Sequence, residues 1–127
     1  MAQMQTPLRK VRGLGSAKDG TAHFWRVRVT SVALVPLSLF AIGLVVSLID
    51  AGYAETRAVL AQPIVALLLG LFVVISLDHM RSGMEEIIQD YVHGELAKVV
   101  LLMLNLFFII ILGAASIFAL LKIAFGG

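Results

Sequence analysis

Three long apolar runs, separated by short polar segments, dominate the chain. The runs cover residues 29–49, 58–77 and 99–121, and none of them contains a charged residue. A helix needs about 20 apolar residues to cross the hydrocarbon core of a bilayer. Three spans cannot close a β-barrel, so helix is the conformation that satisfies their backbone groups in lipid. The pattern predicts an all-α membrane protein with transmembrane helices at about residues 28–49, 59–91 and 97–124.

The segment before the first apolar run is polar and rich in glycine. Thr6-Pro7 and the nearby glycines disfavour regular structure, so residues 1–22 are expected to form a flexible basic arm before a three-helix domain at residues 23–127. The basic residues of this side outnumber the acidic ones: Arg9, Lys10, Arg12, Lys18, Arg26 and Arg28 against Asp19. The positive-inside rule then predicts an N-terminus in the cytoplasm, or in the matrix of a mitochondrion, and a C-terminus outside.

Composition supports a membrane location and removes several kinds of site. The chain is 60% hydrophobic and 14% charged, against about 25% charged residues in a soluble domain. The absence of cysteine excludes thiolate zinc sites, iron–sulfur clusters bound by this chain alone, disulfides and covalent haem attachment. The net charge of +2 lies mainly in the N-terminal segment, which favours membrane topology and contact with lipid over nucleic acid.

The helical pattern of the second span continues beyond its apolar run. Residues 77–93 contain no proline and keep apolar residues at helical spacing, which predicts one long helix from about Gln62 to Tyr91. Pro63 lies near its start, where a missing N–H costs little. One face of that helix carries an imidazole, a glycine one turn later and then two carboxylates: His79, Gly83, Glu86 and Asp90. If His79 ligated a haem, the glycine would let the flat macrocycle approach the backbone of the helix. The alternative for His79 is an interfacial histidine bonded to a carbonyl of a neighbouring helix. If haem binds, its second ligand must come from a partner chain, because His23 and His93 lie at other depths.

Other polar residues also have two interpretations. Arg28 opens the first span, where it could contact headgroups, or clamp a carboxylate such as a haem propionate with its paired donors. The pair Asp90-Tyr91 could be a simple interfacial anchor. Within the third span, Asn105 is expected to hydrogen-bond to another helix, and the small residues 113–116 are expected to allow close helix packing.

The chain resembles the D-type hydrophobic membrane anchor subunits of succinate dehydrogenase, respiratory complex II. The resemblance rests on the three-helix plan and on three motifs: His79-x-x-x-Gly83, then Asp90-Tyr91-Val92-His93-Gly94, and His23-Phe24-Trp25 followed by Arg28-Val29-Thr30. It implies half of a heterodimeric haem-binding anchor in a bacterial or mitochondrial inner membrane. Its partners would be a companion anchor of the C type, an iron–sulfur subunit and a flavoprotein subunit of this tricarboxylic acid cycle enzyme.

The resemblance also implies a role for individual residues. His79 would be one axial ligand of haem b, and a histidine of the companion anchor would be the other. Arg28 and His23 would contact haem propionates. Tyr91 would hydrogen-bond to a ubiquinone carbonyl, and Asp90 would support proton delivery beside it. The chain itself would be a non-catalytic subunit that passes electrons to quinone.

Three other functions remain open from the sequence. The anchor subunit of a fumarate reductase would have the same plan, since fold does not set the direction of the reaction. A purely structural anchor would hold soluble subunits at the membrane without haem. A small transporter or proton channel is disfavoured, because none of the apolar runs contains a carboxylate at mid-span.

Overall fold

The computed structural model of the chain describes residues 15–126, with side chains from Thr21 onward. These residues form helices and contain no strand: α1 at Gly15–Ser47, α2 at Tyr53–Leu60, α3 at Pro63–Tyr91 and α4 at Glu95–Phe125. Within the described residues, three helices are long and apolar enough to cross a membrane, namely α1 from Thr21, α3 and α4. The predicted fold class, an all-α protein with three apolar spans, is confirmed.

Helix α1 begins earlier than the sequence indicated. It is helical from Gly15, so residues 15–22 extend the first helix, although they were expected to belong to a flexible arm. Once the apolar part of a helix has nucleated, adding residues at its end costs little, and a glycine costs only about 1 kcal/mol relative to alanine. The rest of the expected arm, residues 1–14, lies outside the described residues.

Helix α3 matches the predicted length and starts at the expected proline. Pro63 occupies the first turn after the N-cap residue Gln62, where a missing N–H breaks no helical hydrogen bond. The helix runs to Tyr91, and the N–H of Val92 then donates to the carbonyl of Ile88 at 3.0 Å. The short link that follows leads directly into α4 and therefore makes α3 and α4 antiparallel neighbours.

Helix α2 was not predicted, because the segment between the first two spans was interpreted as a loop. Its sequence, Tyr53–Leu60, is rich in strong helix formers. Glu55 in the first turn also complements the positive end of the helix dipole.

Helix α3 is the central helix, and it packs against both α1 and α4. Few side chains of the described part of the chain are buried: Val65, Leu77, Ser82 and Ile88. Large apolar side chains are instead exposed along all three long helices. Such surfaces suit lipid or the helices of partner subunits, and they would be unfavourable in water.

Two contacts between α3 and α4 confirm expectations from the sequence. The amide nitrogen Nδ2 of Asn105 donates to the backbone carbonyl of Arg81 at 3.2 Å. At Gly113, a Cβ atom would lie 3.3 Å from Cδ1 of the buried Leu77. Helices in lipid associate through close packing of small residues and through hydrogen bonds of this kind, because burial from water contributes little there.

Candidate functional site

His79 lies half-buried on the side of α3 that faces α1. Its Nδ1 atom is 3.0 Å from the hydroxyl of Thr30 on α1. Within the described part of the chain, Nε2 makes no hydrogen bond or ion pair. The neighbouring helix thus holds His79 through a hydroxyl, where the interfacial interpretation had expected a carbonyl. The ring nitrogen that remains is the one that could ligate a metal.

The surface beside His79 is open at the position of the glycine one turn later. A Cβ atom added to Gly83 would meet nothing within 4 Å. A flat macrocycle could therefore approach the backbone here, as the sequence indicated. Among the side chains that the structure describes, from Thr21 to Gly126, no group of three or more His, Asp or Glu could hold a metal ion. A single imidazole beside an open surface suits a metal whose other ligands come from a porphyrin.

An ion pair joins α1 to α3 immediately beside His79. Nε of Arg26 donates to Oδ2 of Asp78 at 2.9 Å, and a second nitrogen of the same guanidinium pairs with Oδ1. This paired-donor geometry is the strong form of the arginine–carboxylate interaction. It fixes the rotation of α3 relative to α1 at the residue that precedes the imidazole.

A second contact between the same helices lies about two turns away. Nε2 of His23 is 2.7 Å from Oε1 of Glu86. Glu85, the neighbouring acid, accepts from Nε of Arg81 at 3.0 Å within α3. The three acidic residues of α3 that had no role from the sequence, Asp78, Glu85 and Glu86, are thus all paired with a basic side chain.

His23 and Arg28, the two residues predicted to contact haem propionates, differ in whether a described side chain of this protein already pairs with them. His23 is held by Glu86, and its predicted propionate contact stays a prediction. Arg28 is exposed, with its guanidinium 4.8 Å from the centroid of the Phe24 ring. Among the side chains of residues 21–126, it has no carboxylate partner. Stacking on an aromatic face leaves the edge donors of a guanidinium available to an anion.

Tyr91 and Asp90 lie at the C-terminal end of α3, at the end of the bundle where His23 contacts Glu86. Both are exposed, and Tyr91 is 77% exposed. Tyr91 borders a mainly apolar cleft of about 450 Å³ between α3 and α4, which Asp90 does not line. The other residues of the cleft are Met84, Ile87, Ile88, Val92, Leu101, Leu104, Asn105 and Phe108. At the mouth of an apolar cleft, a phenol can donate a hydrogen bond to the polar head of a ligand whose apolar tail occupies the cleft.

The sequence did not predict that Thr30 contacts His79 or that Arg26 pairs with Asp78. A pattern does link them: Arg26 and Thr30 are four residues apart and share a face of α1, while Asp78 and His79 are neighbours on α3. Which residues of two helices meet depends on their relative rotation, and periodicity along one helix does not determine it.

These features together define a three-helix integral membrane subunit with a polar cluster at one end. Residues 2–121 match the family described as succinate dehydrogenase/fumarate reductase transmembrane subunit. The chain therefore belongs to this family, as a hydrophobic membrane anchor subunit of succinate dehydrogenase.

Relatives with assigned names agree with this family. The chain is 31% identical to a succinate dehydrogenase hydrophobic membrane anchor subunit of Paracoccus denitrificans, over 95% of this chain and 93% of that protein. It is 33% identical to a succinate dehydrogenase membrane anchor subunit of Reclinomonas americana, over 65% of this chain and 72% of that protein. A hydrophobic membrane anchor subunit of Rickettsia bellii is 29% identical, over 80% of this chain and 82% of that protein. No solved structure matches the chain significantly.

Proposed function

We propose that this anchor subunit provides one axial ligand of haem b and forms part of a ubiquinone-reduction site. The observation that carries the proposal is the hydrogen bonding of the His79 ring. Its Nδ1 is bonded to α1, its Nε2 has no partner in the described part of the chain, and the surface at Gly83 is open. An imidazole held through one nitrogen and unengaged at the other is the usual arrangement of a metal-ligating histidine.

Two residues of this chain would bind the haem. His79 supplies one axial nitrogen, and the companion anchor supplies the other. Arg28 supplies donors for a propionate, which a guanidinium stacked on Phe24 suits. When bound, haem supplies one-electron redox chemistry, with a potential set by its axial ligands and its burial. The chain itself has no cysteine for iron–sulfur clusters, so electrons from succinate would arrive through partner subunits.

The quinone part of the proposal rests on Tyr91 and Asp90. A neutral phenol can donate a hydrogen bond to a quinone carbonyl, and the apolar cleft that Tyr91 borders suits an isoprenoid tail. Reduction of a quinone consumes two electrons and two protons. The exposed Asp90 stands next to Tyr91 at the end of α3, where it can pass protons from water. In this proposal the end of the bundle with Tyr91 faces the cytoplasm or matrix, by the positive-inside rule.

The haem proposal is tested by His79→Ala in the assembled complex. We expect the b-type bands of the reduced-minus-oxidised spectrum to be lost. His93→Ala is the matched control, since His93 lies beyond the end of α3, and it should retain the bands. An intact complex that has no b-type bands before mutation, or that keeps them unchanged in His79→Ala, would favour the purely structural anchor.

The quinone proposal is tested by Tyr91→Phe, with Tyr53→Phe as the control. The chain has two tyrosines, and both are highly exposed, at 77% and 81%. Removing the Tyr91 hydroxyl should lower succinate–quinone reductase activity about tenfold, which corresponds to the loss of one hydrogen bond worth roughly 1.4 kcal/mol. Succinate oxidation with a soluble electron acceptor should persist in both variants. Equal quinone reductase activity in both would contradict the assignment.

A further inference from the structure

The hydroxyl of Thr30 is the centre of a small hydrogen-bond network between α1 and α3. Its oxygen lies 2.9 Å from the carbonyl of Arg26, 3.0 Å from the carbonyl of Val27 and 3.0 Å from Nδ1 of His79. A threonine hydroxyl has one proton to donate and two lone pairs that can accept. The two carbonyls can only accept, so the chemistry of the three neighbours determines the direction of each bond.

Threonine in a helix characteristically donates its hydroxyl proton to a carbonyl three or four residues earlier. Arg26 and Val27 stand at these two positions before Thr30. With the proton committed to this backbone acceptor, the oxygen of Thr30 presents a lone pair to His79. The bond between them then requires a hydrogen on Nδ1, and a neutral imidazole with hydrogen on Nδ1 has its lone pair on Nε2.

We infer that Thr30 is a positioning residue that fixes the Nδ1–H tautomer and the ring orientation of His79, and so prepares Nε2 as an axial ligand. The inference rests on the proposed haem ligation by His79. The ion pair of Arg26 with Asp78 supports it, because it anchors α3 to α1 at the position adjacent to the imidazole. The backbone carbonyl of Arg26 also lies 2.9 Å from the hydroxyl of Thr30. The same contact between α1 and α3 therefore includes both the imidazole and the residues that hold it.

A hydrogen bond from Nδ1–H has a consequence that can be measured. It raises the basicity of the ligating nitrogen and restrains the ring. A more basic ligand stabilises ferric iron over ferrous iron and lowers the reduction potential. Removing the acceptor at Thr30 should therefore move the haem potential in the positive direction, change the signals that report ring orientation, and weaken haem retention about ten- to a hundredfold.

The experiment compares Thr30→Val, Thr30→Cys and Thr30→Ser in the purified complete complex. Valine removes the acceptor with little change of shape, sulfur is a weak acceptor and serine restores a hydroxyl. The readouts are a redox titration of the haem bands, the electron paramagnetic resonance signal of the ferric haem and the haem content. Ser31→Ala is the matched control, since Ser31 donates to the carbonyl of Val27 at 2.7 Å and, within the described part of the chain, makes no hydrogen bond to His79.

The expected order of potentials is serine near the unaltered protein, cysteine higher and valine highest, with Ser31→Ala unchanged. If the valine variant does not assemble, the difference between cysteine and serine decides the question. Potentials and ferric signals that are equal across the series overturn the role of Thr30. His79→Ala separates the two hypotheses: if it loses the haem while the Thr30 series is flat, ligation stands and the positioning role fails. If it keeps an unchanged haem, the ligation itself is wrong.

Discussion

Arg26 on α1 and Asp78 on α3 form a two-pronged ion pair one residue before His79. The side chain of Asp78 is only 22% exposed, whereas that of Arg26 is 56% exposed. A carboxylate at the edge of a membrane is costly without a partner. The pair therefore has two effects. It compensates the charge of Asp78 next to the imidazole, and it fixes the rotation of α3 relative to α1.

The contribution of this pair to packing can be measured with a double-mutant cycle. We expect Asp78→Asn and Arg26→Gln each to lower the free energy of unfolding by about 1 kcal/mol, at the upper end for a partly exposed pair. The double variant should lose little more than either single variant, because both remove the same interaction. Detergent-driven unfolding in mixed micelles provides the measurement. Glu55→Gln on α2 is the charge control, and strictly additive losses at positions 26 and 78 would show that the pair is uncoupled.

The contact of Gly113 with Leu77 leads to a prediction about the α3–α4 interface. A Cβ at position 113 would lie 3.3 Å from the end of the Leu77 side chain, so alanine requires only a small shift of a flexible methyl group. A leucine would force the helices apart, and overpacking of this kind typically costs about 1–3 kcal/mol. We expect Gly113→Ala to be tolerated and Gly113→Leu to destabilise the chain in mixed micelles.

Gly43 offers a matched control for this prediction, because it lies inside α1 and a Cβ added there meets nothing within 4 Å. Gly43→Leu makes the same change in helix propensity and apolar area without a clash in this chain. If Gly113→Leu and Gly43→Leu have equal stability, close approach at Gly113 does not limit the packing of α3 against α4.

The features that sequence reasoning predicted correctly are those set within one helix. The helical spacing of apolar residues and Pro63 predicted the extent of α3, and the polar Asn105 inside a span pointed to a hydrogen bond with a neighbouring helix. In each case the local chemistry leaves one favourable solution, because lipid cannot satisfy a backbone or amide group. The resemblance to succinate dehydrogenase anchors, which the sequence shows in motifs contained in single segments, is confirmed by the family match over residues 2–121.

The features that were missed depend on which residues of two helices meet. The partners of His23, Asp78 and His79 follow from the axial register and rotation of α1 against α3, and neither is encoded in the periodicity of one segment. Helix α2 was missed for a different reason. It is short, and most of it lies before the second apolar run, so the hydropathy pattern that predicted the spans did not indicate it.

The open surface at Gly83 gives a prediction that joins the fold to the proposed haem site. A Cβ added there meets nothing within 4 Å, so we expect a valine to fit without displacing a neighbour in this chain. Gly83→Val should therefore leave the packing of α3 intact, yet it would place a branched side chain one turn from His79, where a macrocycle would lie. We expect the complex to assemble with most of its haem lost, as measured by the pyridine haemochrome spectrum. Gly70→Val is the control on the same helix, because a Cβ at Gly70 also meets nothing within 4 Å and Gly70 lies more than two turns before His79. Full haem content in Gly83→Val would mean that this surface of α3 is not the one a haem approaches.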